Sequence, residues 1–164
     1  MIKKIVIHTV SWLAVLITMI TIVNFSLEDG EKSSETSGGV VDTIIEMSPN
    51  KDEITPVQRN NITISVRKLG HFCAYFILSF FLTNAFSLLF NKIMPYPMLL
   101  ALAGSLQFAL FDEFVIQART SGRAAEWADI VTDFSGAVFG ALIFLSLWFA
   151  VRLIIKKIKR KSYV

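Results

Sequence analysis

Cysteine, proline and, over half the chain, charge are what this sequence has least of. One cysteine, Cys73, cannot close an intrachain disulfide, so a disulfide-stapled secreted scaffold is excluded. No HExxH, GxSxG or P-loop sequence occurs, which removes the common zinc-hydrolase, serine-hydrolase and nucleotide-binding signatures. The missing charge is the most informative lack. The charged residues leave four gaps, at 5–27, 69–91, 93–111 and 134–151, in a chain of 164 residues that is 54% hydrophobic. A helix that crosses a bilayer needs roughly 20 largely apolar residues to span about 30 Å of hydrocarbon. Four such windows exclude a soluble enzyme and a nucleic-acid binder. The reading is an all-α, polytopic membrane protein, a compact bundle of four transmembrane helices.

The first window follows Lys3 and Lys4, as the core of a signal peptide would. Its apolar run of about 20 residues exceeds the roughly 7–15 of a signal core, and no Ala-x-Ala site follows, so a retained helix is expected. Orientation follows from lysine and arginine, which concentrate in short cytoplasmic segments. Lys3, Lys4, Lys92 and the tail residues Arg152, Lys156, Lys157, Lys159, Arg160 and Lys161 have no acidic neighbour on their side. All 13 acidic residues fall in 28–68 and 112–133. Both chain ends are therefore expected in the cytoplasm, with two loops outside. The whole chain, 1–164, reads as one membrane domain. Its helices lie at about 5–25, 67–90, 96–111 and 128–150, with outer loops at 26–66 and 112–127 and a basic tail at 151–164. Trp127 and Trp148 bracket the fourth helix as interface markers; Trp12 does not.

In the long outer loop, residues 28–39 are rich in Glu, Ser and Gly and are expected to be mobile. Val40, Val41, Ile44, Ile45 and Met47, interrupted by Asp42 and Glu46, predict a short amphipathic helix lying on the membrane or the bundle. Pro49 and Pro56 interrupt the chain after it, and 63–66 is expected to be an extended lead into the second span.

Chemistry-bearing residues gather at the outer helix ends. Arg67, His71 and Tyr75 stand at i, i+4 and i+8, one stripe of the second span, with Lys68 beside it. Asp112 and Glu113 close the third span, and Asp129 and Asp133 open the fourth at i and i+4. Gly136 and Gly140 continue that face in a GxxxG spacing, which admits a close helix neighbour and turns the acidic side inward. The cluster has two readings. Arg67, Arg123 and His71 neutralise the four carboxylates and fix packing, or the groups line a binding or catalytic pocket. Gathering seven ionisable groups favours the pocket, because buried ion pairs contribute little stability. Intramembrane charges also tend to mark function. In the pocket reading, Arg67, Lys68 and Arg123 hold an anionic group while His71, Asp129 and Asp133 are candidate acid–base groups. Alternatively Asp112 and Glu113, with Asp129, Asp133 and His71, hold a divalent cation by oxygen ligands. No other cofactor is expected. His8 has only Lys4 at helical spacing and is read as incidental.

The chain resembles the VanZ-like family of small bacterial membrane proteins. Arg67-Lys-Leu-Gly-His71-Phe-Cys-Ala-Tyr75 is similar to one family block. A second runs from Asp112-Glu-Phe-Val-Ile-Gln117 through Gly122-Arg123 to Asp129-Ile-Val-Thr-Asp133-Phe-Ser-Gly136-Ala-Val-Phe-Gly140. Phe25-Ser26 is similar to a Phe-Ser stretch of the family. Three residues, where the family has two, separate Glu113 from Gln117, and Ser121 replaces a proline. The resemblance implies site roles for Tyr75 and Gln117 beside the charged residues. It also implies a role at the outer face of the cytoplasmic membrane, lowering sensitivity to glycopeptides such as teicoplanin. The expected partners are membrane lipids and a lipid-linked cell-wall precursor or the glycopeptide itself, and no nucleic acid. Two alternatives stand beside this. One is a membrane-embedded enzyme on a lipid-linked or phosphate-bearing envelope precursor, and the other is a structural scaffold or assembly partner. Four helices without broken midplane segments or inverted repeats offer little for a transporter.

Overall fold

A computed structural model describes residues 2–49, 53–90, 95–122 and 124–161, with side chains for 5–49, 53–90, 95–122 and 124–159. Arg123 and the Asn91-Lys92 turn lie outside the described residues, as do the side chains of Lys3, Lys4, Arg160 and Lys161.

Helix α1 (Ile2–Ser26) is followed by α2 (Gly30–Met47), α3 (Pro56–Phe90), α4 (Tyr96–Phe111) and α5 (Trp127–Lys161). Past Phe111, α4 continues as a π-helical turn, Asp112–Ile116, and a 3-10 turn, Gln117–Arg119. Four segments, in α1, α3, α4 with its extension, and α5, are long and apolar enough to cross a membrane. The protein is a multi-pass, all-α membrane protein, consistent with residence in the bacterial cytoplasmic membrane. Its exposed apolar belts, such as Ile17 and Ile20 of α1 and Phe139 and Leu147 of α5, face lipid.

Small residues let the helices approach one another. Ser79, Thr83, Ala85, Ala101, Ser105, Ala109, Ala137 and Ala141 are buried around the larger Tyr75, Leu78 and Val15. Helix α3 is the hub and packs on α1, α2, α4 and α5, most extensively on α5. A methyl group at Gly136 would run into the carbonyl oxygen of Phe72, and one at Gly140 into that of Phe76. The GxxxG pair thus holds α5 parallel to α3 with the two backbones in contact. Deeper in the bundle, α1 rests directly on α3. Asn84 donates to Ser11 Oγ at 2.9 Å, and Trp12 meets Phe86 edge-on at 5.5 Å.

Two segments differ from the sequence expectation. The stretch expected to be mobile is helical from Gly30 onward, so α2 has 18 residues. Asp29 caps it by accepting from the Lys32 N–H at 2.8 Å, and Gly30 N–H donates to Ser121 O at 3.1 Å. Ser33 and Val41 are buried at its spacing of two turns, while Val40, Ile44 and Met47 are exposed. Residues 63–66 are helical as well, because α3 begins at Pro56 and runs 35 residues. Thr55 and Gln58 form a capping box: Gln58 Oε1 accepts from Thr55 N–H at 2.8 Å, and Thr55 Oγ1 accepts from Gln58 N–H at 3.3 Å. Pro56 takes the first helical position, where its missing N–H costs nothing. At 1.5 Å per residue α3 is about 52 Å long, well beyond the hydrocarbon thickness. Its first turns carry α2, joined to it by an Arg59–Asp42 ion pair.

Candidate functional site

All four spans meet at the end that carries α2. The π-helical turn fixes the α4 contribution. A turn one residue wider than an α-helical one absorbs the third residue between Glu113 and Gln117 and points both carboxylates into the bundle, where both are fully buried. Gln117 donates from Nε2 to Glu113 Oε2 at 2.7 Å and to Asp112 Oδ2 at 3.2 Å. Ser26, the last residue of α1, donates from Oγ to the same Asp112 oxygen at 2.8 Å. Glu113 Oε1 accepts the Glu126 N–H at 2.7 Å, which ties the start of α5 to the end of α4. The following turn needs Gly122, whose φ of 74° disfavours any side chain. Thr120 Oγ1 donates to Ile116 O at 3.0 Å and lies 3.3 Å from Ser26 O, closing this corner.

The α3–α5 seam supplies the rest. Because α5 lies against the Phe72 and Phe76 carbonyls, its acidic stripe is brought onto the basic stripe of α3. Lys68 Nζ lies 2.6 Å from Asp129 Oδ1 and 3.6 Å from Glu126 Oε2. One turn deeper, His71 Nδ1 lies 3.5 Å from Asp133 Oδ1. Asp133 is fully buried and accepts no hydrogen bond among the described residues. His71, Asp112 and Asp133 each bring a ligand atom within 4.8 Å of the others, a set able to coordinate a metal ion. Tyr75, one turn below His71, is fully buried; its hydroxyl has no hydrogen-bond partner among the described residues. Its ring lies 6.1 Å from that of Phe108.

Each expected site residue except Arg123 thus has a place. His71, Asp112 and Asp133 come together, with Tyr75 beneath and Gln117 bridging Asp112 to Glu113. Lys68 is held by Asp129 rather than offered to a ligand. Arg67 is half-buried and makes no ion pair or side-chain hydrogen bond among the described residues. It lines two cavities, of about 300 Å³ and about 380 Å³, on either side of the first half of α2. Arg123 lies outside the described residues. Ser26 and Glu126 were not among the expected site residues. Ser26 carried only the Phe25-Ser26 resemblance as a signal, and Glu126 contributes mainly its backbone N–H, which no side-chain pattern announces.

A sequence model of the VanZ/LLP1 family matches residues 11–150. The chain belongs to the VanZ/LLP1 family. The match runs from the middle of α1 to residue 150 of α5 and includes every residue of the cluster; the basic tail falls outside it. No curated protein and no solved structure matches the chain. The matched stretch contains both faces of the α3–α5 seam and the turns that follow α4.

Proposed function

We propose that this VanZ/LLP1 protein is a membrane-embedded enzyme acting on a phosphate-bearing envelope precursor at the outer face of the cytoplasmic membrane. Arg67 binds the phosphate through its guanidinium fork, which matches phosphate oxygens in pairs. His71, one turn away on the same face, moves the proton, and Asp133 sets the orientation and charge of the imidazole. Lys68 with Asp129, and Gln117 with Asp112 and Glu113, form the frame that holds those groups. The observation that carries this reading is a cavity with Arg67 and His71 in one wall, His71 being backed by the buried Asp133. The basic chain ends support the outward orientation, since they lie at the opposite end of the bundle. A change in envelope precursors at the outer face fits the family's association with teicoplanin, a drug that acts on such precursors.

The test is turnover of extracted lipid-linked precursors by the purified protein in nanodiscs. His71→Ala, with unchanged protein level, is expected to lose about 100-fold or more in rate, the usual contribution of a proton-transfer group. Binding without turnover overturns the enzymatic reading. A second reading rests on the close approach of His71, Asp112 and Asp133: a divalent cation held there neutralises the phosphate. Metal analysis of the purified protein and loss of turnover with a chelator, restored by magnesium or manganese, distinguish it from metal-free proton transfer.

A further inference from the structure

The two cavities beside α2 meet at Arg67 but differ in character. On one side the groove between α1, α2 and α3 has mostly apolar walls, among them Ile22, Phe25, Val40 and Ala74; Arg67 and His71 line it too, as do Glu28 and the small polar residues Ser33, Thr36 and Ser37. On the other side the cleft is walled by Ser33, Ser34, Asn60 and Thr63, with Arg67 again at its edge. A guanidinium with no ion pair or side-chain hydrogen bond among the described residues therefore stands where an apolar channel meets a polar cleft. A small soluble phosphate compound matches half of this arrangement and leaves the apolar half facing water. An amphiphile matches all of it.

Two further features lead the groove outward to the lipid. Val40, which lines the cavity, is half exposed, and Ile44 and Met47 further along α2 and Leu27 after α1 are exposed apolar side chains as well. Gly70 lines the groove one turn below Arg67, and a methyl group added there meets nothing within 4 Å. At this position α3 shows bare backbone to open space, unlike Gly136 and Gly140, which have no room at all. A volume of about 300 Å³ is at the lower bound of ligand pockets, enough for the first part of a chain whose remainder lies in the bilayer.

We infer that the site takes its phosphate on a long apolar chain: the chain lies in the α1–α2–α3 groove and reaches it sideways from the outer leaflet, the phosphate meets Arg67, and a hydroxyl-rich headgroup occupies the polar cleft beyond. This deepens the reading above and rests on it for the phosphate.

The experiment uses the full chain in phosphatidylcholine nanodiscs and two probes, a long-chain polyprenyl phosphate and the short, water-soluble isopentenyl phosphate. Binding is read by native mass spectrometry and by competition. The wild type is expected to hold the long probe at least about tenfold more tightly than the short one. Gly70→Phe, which fills the groove from an open position, is expected to remove that preference and leave the short probe unaffected. Val40→Glu, on the opposite wall, is expected to do the same should Gly70→Phe fail to accumulate. Arg67→Ala is expected to weaken both probes. Equal affinity of the wild type for the two probes, or an unchanged preference in both groove variants, overturns the inference. Turnover that needs His71 but ignores Gly70 leaves the enzymatic reading standing without the groove. Chain-dependent binding with no turnover leaves the groove standing without the enzyme.

Discussion

Helix α3 has two faces that use glycine for opposite ends. Toward α5 the backbones touch, and the glycines are Gly136 and Gly140 of the partner helix, whose missing side chains make room for the Phe72 and Phe76 carbonyls. Toward α1 and α2 the glycine is Gly70 of α3 itself, and a methyl group added there would meet no atom of the described residues within 4 Å. The first face is a closed seam that sets the register of Lys68 on Asp129 and His71 on Asp133. The second is a groove. A glycine in a membrane helix thus says nothing by itself about close packing; what stands opposite decides.

The sharpest break of this comparison is Gly140→Leu. Four side-chain carbons forced onto a backbone carbonyl have nowhere to go, and a loss of about 3 kcal/mol or more is expected, seen as loss of folded protein in detergent. Gly70→Leu, the same substitution on the other face, is expected to leave thermal stability within about 1 kcal/mol, with a small gain in helix propensity. Equal damage at both positions would falsify the distinction. Next in size is Glu113→Gln. The amide has one acceptor oxygen for the two donors that Glu113 now receives, from Gln117 and from the Glu126 N–H, so about 2 kcal/mol is expected from thermal unfolding. Lys68→Ala removes the counter-charge of Asp129 on the seam side. Lys68 is about a third exposed, so solvent screening limits the loss to about 1 kcal/mol; combined with Asp129→Ala in a double-mutant cycle, the second change is expected to be smaller than alone. The smallest effect falls on the α1 side. Removing the Asn84–Ser11 hydrogen bond by Ser11→Ala is expected to cost about 0.6 kcal/mol, typical of interhelical bonds in membranes.

Much of this was legible in the residues, for identifiable reasons. Charge is so costly in hydrocarbon that its absence marks the spans, and the four windows coincide with α1, the membrane part of α3, α4 and the membrane part of α5. The GxxxG spacing below Asp133 pointed the acidic stripe inward, and α5 does turn that stripe onto α3. What escaped were features set by tertiary contact or by local chemistry of low contrast. The Ser- and Gly-rich start of α2 has poor helix propensity, yet the Asp29 cap, the Gly30–Ser121 bond and burial of Ser33 and Val41 on α3 hold it. The early start of α3 carried a signal that the proline count obscured, because Thr55-Pro56-Val57-Gln58 is a capping box with proline at the first helical position. The π-helical turn could be approached only through the spare residue between Glu113 and Gln117. Whether that residue shifted the acidic pair or widened the turn depended on Gln117 reaching both carboxylates, a contact no spacing rule contains. Arg123, prominent in the sequence cluster, lies outside the described residues.

The convergence of four spans on one cluster has a consequence for how the molecule can be taken apart. Ser26 comes from α1, His71 from α3, Asp112 and Glu113 from the end of α4, and Asp133 from α5. Every span therefore owns a share of the cluster and none owns enough of it to act alone. A chain cut between α3 and α4 would leave the cluster incomplete in both halves, and folded protein regained on co-expressing them would be a direct readout of the halves finding each other in the bilayer.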